Sequence, residues 1–137
     1  MEVIYQIEPD LTAQEFKDLL VRSTLGERRP IDDTERLEKM CRHADIIFTA
    51  RFNGKLVGVA RSISDFSFAT YLSDLAVDEA FQKLGIGKRL IQETKKLVPD
   101  GKLVLLSAPA AVDYYPKIGM KQFIQTYVID HLEEIKS

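Results

Sequence analysis

The chain has 137 residues, a formal net charge of −2, and a composition that is 45% hydrophobic and 29% charged. These values predict one globular domain over residues 1–137, exclude a disordered or collagen-like chain, and argue against a surface that binds nucleic acid through its charge. The single cysteine, Cys41, excludes an intrachain disulfide and a cysteine-built zinc site. Because neither a signal-peptide pattern nor an apolar run of membrane length is present, we expect a cytoplasmic protein.

Patterns in the first third of the chain predict a strand followed by two helices. The strand is expected over residues 3–7. Thr12 and Glu15 have the spacing of a capping box, in which each side chain satisfies a free N–H group at a helix start. Asp32 and Glu35 are expected to cap the second helix.

A β-hairpin is predicted next. Residues 46–52 are rich in β-branched and aromatic side chains, and residues 55–63 form the expected returning strand. Between them lie Asn53 and Gly54, the strongest short hairpin signal, because both central residues of a type I′ turn need a positive φ.

The second half of the chain predicts a strand–helix–strand unit. A strand over residues 71–77 leads through a polar connection, 78–84, into a helix that starts near Ile86 and stops at the Pro-Asp-Gly sequence of residues 99–101. The continuous apolar run at 103–106 is typical of a central strand that is covered on both faces.

The last elements are a short helix between Pro109 and Gly119 and a final strand over residues 122–129. This order of elements predicts an α/β (α+β) fold with helices on both faces of one sheet. We expect a mixed, mostly antiparallel sheet of about six to seven strands.

The connection between the strand at 71–77 and the following helix carries the strongest chemical signal. A helix start offers free N–H groups and a partial positive charge to an anion. Gly85 and Gly87 would let the backbone approach a phosphate closely, and Lys83 and Lys88 add positive charge. The segment therefore suits a pyrophosphate, although two glycines alone also fit a tight turn.

Two familiar phosphate-binding motifs do not match this segment. The dinucleotide fingerprint needs a small residue where Leu90 stands. A Walker loop needs glycine in place of Gln82 and serine or threonine in place of Arg89.

A longer pattern does match. Residues 82–87, with the sequence QKLGIG, follow a strand that ends in Leu-Ala-Val at 75–77. This arrangement resembles motif A of the GCN5-related N-acetyltransferases (GNATs), usually written Q/R-x-x-G-x-G/A. Residues 111–120, AVDYYPKIGM, are similar to the late helix of that family, and the order of elements from 3 to 129 is similar to its fold.

The resemblance implies transfer of an acetyl group from acetyl-CoA to a primary amine, by direct attack in a ternary complex and without a metal. A strand edge would hold the pantetheine arm, a backbone N–H near Leu75 would stabilise the developing oxyanion, and the glycine loop would hold the pyrophosphate. The implied coenzyme-binding residues are Leu75, Ala76, Val77, Gln82, Lys83, Leu84, Gly85, Ile86, Gly87, Lys88 and Tyr115.

Two residues are candidates for proton transfer. Tyr115 matches the second aromatic residue of the late helix and is expected to protonate the leaving thiolate; the alternative is a core aromatic whose hydroxyl is satisfied. Asp74 is the nearest acidic residue in sequence and is a candidate base or relay. Its alternative is an exposed strand carboxylate that only attracts a cationic amine.

Other features leave alternatives open. Ala108 stands where family members often have the asparagine that helps to hold the pantetheine arm. The alternative hypothesis to an enzyme is therefore a noncatalytic acyl-CoA-binding sensor or interaction domain on the same fold. Arg22, Arg28 and Arg29 are candidates for binding an acceptor carboxylate or are ordinary solvated arginines. The acceptor is expected to be a small-molecule or protein amine, and a homodimer is possible.

Overall fold

The computed structural model describes residues 2–137, and the chain divides after Leu106 into two compact units. The helices and strands are β1 (Ile4–Ile7), α1 (Ala13–Arg22), α2 (Thr34–Arg42), β2 (Ile46–Phe52), β3 (Lys55–Ser64), β4 (Ala69–Val77), α3 (Ile86–Leu97), β5 (Lys102–Val104) and α4 (Tyr114–Lys117). Short 3₁₀ turns lie at Leu25–Arg28, Glu79–Phe81, Pro109–Ala111 and Leu132–Glu134. A single domain over residues 1–137 stays a prediction.

All strands belong to one sheet in the first unit, in the order β1-β2-β3-β4-β5. The first three pairings are antiparallel and the pairing of β4 with β5 is parallel. The mixed, mostly antiparallel sheet is thus confirmed, with five strands rather than six to seven.

The end of the sheet corrects two expectations. Residues 122–129 form no strand, although their composition favours one. The apolar run that starts at Leu103 was expected in a central strand, whereas β5 is three residues long and lies at the end of the strand order.

Helices cover both faces of the sheet, as predicted. One face packs against α1 and α2, and the other packs against α3. The buried side chains on the α1 and α2 face include Phe16, Leu19, Leu20, Leu37, Cys41, Ile47, Leu56, Val59 and Ala76. Those on the α3 face are Ile46, Phe48, Ala50, Val57, Ala60, Leu72, Ile86, Leu90 and Val98. Burial of these side chains is the main force that orders the first unit.

The predicted hairpin and first helix cap are present. Asn53 and Gly54 have φ values of 50° and 80°, as the tight turn requires. The hydroxyl of Thr12 accepts a hydrogen bond from the N–H of Glu15 at 3.1 Å. The second helix is capped by Asp33, one residue beyond the predicted Asp32.

A cluster of charged side chains ties β1, β2 and α1 together. Glu8, which directly follows β1, accepts hydrogen bonds from Arg51 Nε at 2.6 Å and Nη2 at 2.9 Å, and from Thr49 Oγ1 at 2.6 Å. Arg51 also binds the carboxylate of Glu15 at 2.9 Å. The hydrogen bond to Arg51 is the main reason that the pKa of Glu8 falls to about 2.

Replacing Glu8 with glutamine should lower the free energy of unfolding by about 2 kcal/mol near neutral pH, because it leaves a largely buried arginine with a weaker partner. A carboxyl whose pKa is lower in the folded state stabilises the fold above its unfolded-state pKa. Here that stabilisation is lost as the pH falls from 4.5 towards 2. Glu8→Gln should therefore show a flatter loss of stability over that range.

Urea denaturation at several pH values measures this effect. Glu38→Gln on the exposed side of α2 is the matched control and should follow the wild type. Parallel pH profiles for Glu8→Gln and the wild type would contradict the role of this cluster.

Candidate active site

The edge of β4 that faces β5 is unpaired along most of its length. β5 pairs only with Ala69, Thr70 and Tyr71 of β4. From Leu72 onwards, this side of β4 has no strand partner within residues 2–137. Beyond the pairing of Tyr71 with Val104, β4 therefore offers a free backbone edge.

The register of β3 and β4 decides which backbone groups face this edge. Val59 pairs with Ala76, and the N–H of Asp78 donates to the carbonyl of Val57 at 2.8 Å. Because successive residues of a strand direct their backbone groups to opposite sides, Leu75 and Val77 point away from β3. The N–H and C=O of Leu75 and the N–H of Val77 have no hydrogen-bond partner in the described part of the chain.

The start of α3 provides a second set of free donors. Gly85 is the N-cap residue, with a φ of 83° and no side-chain cap. The first helical hydrogen bond runs from Arg89 N–H to the Gly85 carbonyl at 3.0 Å. The N–H groups of Ile86, Gly87 and Lys88 therefore precede the hydrogen-bonded ladder and are free to bind an anion.

These two sets of donors are neighbours. A Cβ atom on Gly87 would lie 3.8 Å from Val77 Cγ2 and 3.9 Å from Leu75 Cδ2. The close packing also depends on Gly58 of β3, where a Cβ would lie 3.0 Å from Ile86 Cγ2. Glycine at position 58 lets the first turn of α3 rest directly on the sheet beside the open edge.

Side chains hold the loop between β4 and α3 in place. Asp78 accepts hydrogen bonds from Arg22 Nε at 2.8 Å and from the N–H of Ala80 at 2.9 Å. Burial opposes ionisation of Asp78, but these donors outweigh it and its pKa lies below the usual value. Gln82 donates from Nε2 to the carbonyl of Val77 at 3.1 Å, so this motif residue shapes the loop.

Asp74 lies in a different environment from the exposed strand position considered above. Its side chain is 0% exposed. One carboxylate oxygen accepts from Arg29 Nε at 2.5 Å and the other accepts from Arg61 Nε. Arg22 and Arg29 are thus engaged with aspartates of the sheet, whereas Arg28 is exposed.

Residues 13–120 match the sequence model of the acetyltransferase (GNAT) family. The chain belongs to the GNAT family. It is 37% identical over 71 residues to an uncharacterised N-acetyltransferase of Pyropia yezoensis, covering 49% of this chain and 40% of that protein. It is 31% identical over 70 residues to GCN5-related N-acetyltransferase 2 of Arabidopsis thaliana, covering 49% of this chain and 27% of that protein. The chain thus spans less than half the length of these curated relatives.

The fold is also that of GNAT proteins. A GNAT family acetyltransferase from Streptococcus pneumoniae superposes with a TM-score of 0.77 at 19% identity, over 94% of this chain and 98% of that chain. At this identity the likeness concerns the fold, and it confirms the fold class expected from the sequence.

Most of the coenzyme-binding residues that the GNAT resemblance implied belong to the open edge or the helix start. The members of this set are Leu75, Val77, Lys83, Leu84, Gly85, Ile86, Gly87 and Lys88. Ala76 differs, because its backbone faces β3 and its side chain is buried. Lys83, Leu84 and Lys88 are exposed.

Tyr115 lies in the second unit, on α4. Its ring meets that of Tyr114 edge-on, with 5.3 Å between the centroids. Its carbonyl accepts hydrogen bonds from the N–H groups of Ile118 and Met120, both at 3.1 Å, and Gly119 follows the helix end with a φ of 102° as predicted. Burial raises the pKa of the Tyr115 phenol, so it keeps its proton at neutral pH.

Residues 2–137 lack two features that would change the view of the site. Within that range, the acidic, histidine and cysteine side chains form no group that could hold a metal ion. None of the helices described there is long and apolar enough to cross a membrane.

The residue that sequence reasoning missed is Arg61. It lies in the middle of β3, in a stretch whose other residues are mostly small or apolar. A buried arginine in such a strand needs an acidic partner, and Asp74 is the acidic residue of the next strand. That pairing was the available signal.

Proposed function

We propose that this chain transfers the acetyl group of acetyl-CoA to a primary amine by direct attack in a ternary complex. The observation that carries the proposal is the open backbone edge of β4 beside the free N–H groups of α3. This pairing of donors suits a ligand with an amide-containing arm joined to a pyrophosphate. Acetyl-CoA has this form, and its thioester supplies an activated acetyl group.

The chain's own backbone would bind the coenzyme. The C=O of Leu75 and the N–H of Val77 can pair with the amides of the pantetheine arm, as an added strand would, which leaves the N–H of Leu75 for the acetyl group. The N–H groups of Ile86, Gly87 and Lys88 can bind the pyrophosphate, helped by the positive end of the helix dipole. Because the contacts come from main-chain atoms, binding tolerates many side-chain changes.

The same edge would stabilise the reaction. The amine nitrogen forms a bond to the acetyl carbon, the carbon–sulfur bond breaks, and negative charge develops on the acetyl oxygen. A backbone N–H directed at that oxygen lowers the barrier more than it strengthens ground-state binding. Leu75 is our candidate for this donor.

The reaction also needs two proton transfers, because the amine loses one proton and the sulfur gains one. Tyr115 is the proposed donor to sulfur, since a phenol is protonated at neutral pH and carries a proton that it can give to the thiolate as it forms. Asp74 is a poor direct base, because both of its oxygens already accept from guanidinium groups. We propose that water removes the amine proton. Asp74 would contribute by holding the backbone of β4 next to Leu75 and not by accepting the proton itself.

The rival function is a noncatalytic acyl-CoA-binding domain. It is favoured by Ala108, which has no side-chain amide to help hold the pantetheine arm. Release of free thiol from acetyl-CoA, measured with a panel of polyamines, amino sugars, amino acids and peptides, separates the two. Coenzyme binding without thiol release above the no-acceptor rate for any amine would favour the rival.

Gly87→Glu should weaken CoA binding by about 100-fold or more, because it places a carboxylate beside the proposed pyrophosphate site. The substitution is compatible with the fold, since a Cβ at this position makes only ordinary contacts. A carboxylate in the first turn of a helix is also favourable for the helix itself.

Gly87→Gln is the matched control, with similar bulk and no charge. Calorimetric titration with CoA should place its affinity between those of the wild type and Gly87→Glu. If folded Gly87→Glu bound CoA with wild-type affinity, the glycine loop would not be part of the coenzyme site.

Tyr115→Phe should lower kcat by about 10²-fold or more while leaving the Kd for CoA within a few fold, because the ring remains and only the proton donor is lost. Tyr114→Phe is the control and should retain activity. An unchanged kcat in Tyr115→Phe, under conditions where the chemical step limits the rate, would refute the assignment.

The cellular setting remains a proposal. A cytoplasmic location is proposed, and the net charge of −2 argues against nucleic acid among the partners. A homodimer is supported by the exposed apolar side chains near the C-terminal end, such as Ile124, Tyr127 and Leu132. Sedimentation of the chain over a range of concentrations tests the dimer.

A further inference from the structure

β4 contains a bulge directly before the residue proposed to stabilise the oxyanion. Arg61 pairs with Asp74, and the next residue of β3, Ser62, pairs with Leu72. Ser73 is therefore an extra residue in β4 without a partner on β3. A bulge of this kind sets the direction of the backbone that follows it.

Two arginines hold this bulge from outside β4. Arg29 donates from Nη2 to the carbonyl of Ser73 at 2.9 Å, and Arg61 donates from Nη2 to the hydroxyl of Ser73 at 3.0 Å. Both arginines also bind the carboxylate of Asp74 through Nε. Every polar side-chain group of the Ser73–Asp74 pair is thus engaged by a guanidinium.

The two arginines differ in their surroundings. Arg61 belongs to β3, is 8% exposed and also donates to the carbonyl of Met40, so it ties the sheet to α2. Arg29 follows the short turn at Leu25–Arg28 and is 22% exposed. Its remaining hydrogen bond runs to the carbonyl of Arg28 at 2.8 Å, and without Arg29 the Asp74 carboxylate would still be paired with Arg61.

We propose that Arg29 is a positioning residue for acetyl transfer. It bridges the Ser73 carbonyl and the Asp74 carboxylate, and so fixes the bulge at the position that directs the N–H of Leu75 to the open edge. If the bulge moved along β4 so that Leu75 slipped by one position, its backbone groups would turn towards β3. This inference rests on the function proposed above.

The charge of the cluster adds to the effect. One carboxylate, that of Asp74, faces the two guanidinium groups of Arg29 and Arg61, which leaves one net positive charge next to Leu75. A fixed positive charge near the acetyl oxygen favours the negative charge that develops there. Arg29 thus acts on the reaction through both geometry and charge.

Two variants separate these contributions. Arg29→Gln removes the charge and should lower kcat by about 10²-fold, with the KM for acetyl-CoA and the Kd for CoA changed less than about threefold. Arg29→Lys keeps a charge for Asp74, but a single ammonium cannot bridge two groups as a planar guanidinium does. It should recover part of the lost kcat. Arg36→Ala, on the exposed side of α2, is the control and should match the wild type.

A spectroscopic readout tests the geometry directly. The infrared stretch of isotope-labelled thioester carbonyl in bound acetyl-CoA should lie at lower frequency in the wild type than in solution, because Leu75 donates to that oxygen. The shift should shrink in both Arg29 variants. A role in folding alone would lower stability without changing kcat or this stretch in the folded protein.

The outcomes distinguish this inference from the proposed function. A wild-type protein that neither binds acetyl-CoA nor releases thiol would refute the function itself. Normal wild-type turnover together with wild-type kcat and carbonyl stretch in Arg29→Gln would overturn only the role of Arg29. If Arg29→Gln does not fold, Arg29→Lys decides: wild-type values in both measurements would refute the proposal.

Discussion

The end of the β4–β5 pairing at Tyr71 is the constraint on which the rest of this molecule depends. It leaves backbone groups of Leu75 and Val77 without partners in half-buried positions. Backbone N–H and C=O groups are strong hydrogen-bonding groups, so an unpaired strand edge is a place where another chain or a ligand can pair. A ligand with its own amide groups can occupy this edge. The parallel pairing that ends at Tyr71 is therefore the structural basis of the site.

Two aspartates at either end of the open segment keep it in place. Asp74 is held by Arg29 and Arg61, and Asp78 is held by Arg22. Both aspartates direct their backbone groups towards β3, so they leave the opposite edge free. Residues 75–77, between the two aspartates, are held on one face by α1 and the turn that follows it. On the other face they pack against α3. Charge pairs on one face thus orient a backbone that presents ligand-binding groups at its edge.

Local signals in the sequence predicted local features well. Asn53-Gly54 identified the hairpin, and residues 82–87 identified the loop and helix start. The long-range partners were harder to predict, because Arg61 could be matched to Asp74 only by comparing two strands, and no local pattern connects Asp74 with Arg29. The segment 122–129 shows the reverse error: its side chains favour a strand, but a strand forms only where a partner edge accepts it. The alternative considered for Asp74, an exposed strand carboxylate, is also wrong, because alternation along β4 does not reveal a buried ion pair.

The donor site and the acceptor site are subject to different sequence constraints. In the proposed function the coenzyme is bound mainly by main-chain groups, which a few glycines and the register of β4 supply. The fold itself is shared with the Streptococcus pneumoniae protein at 19% identity. Selection of an amine requires side chains of particular charge and shape, and these can change without disturbing β4 or α3. Arg29 bears on both proposals, because it is a candidate for binding an acceptor carboxylate and it also holds the bulge before Leu75. A change in the segment between α1 and α2 that alters acceptor choice would therefore also alter the rate of acetyl transfer, unless it spares the two contacts of Arg29.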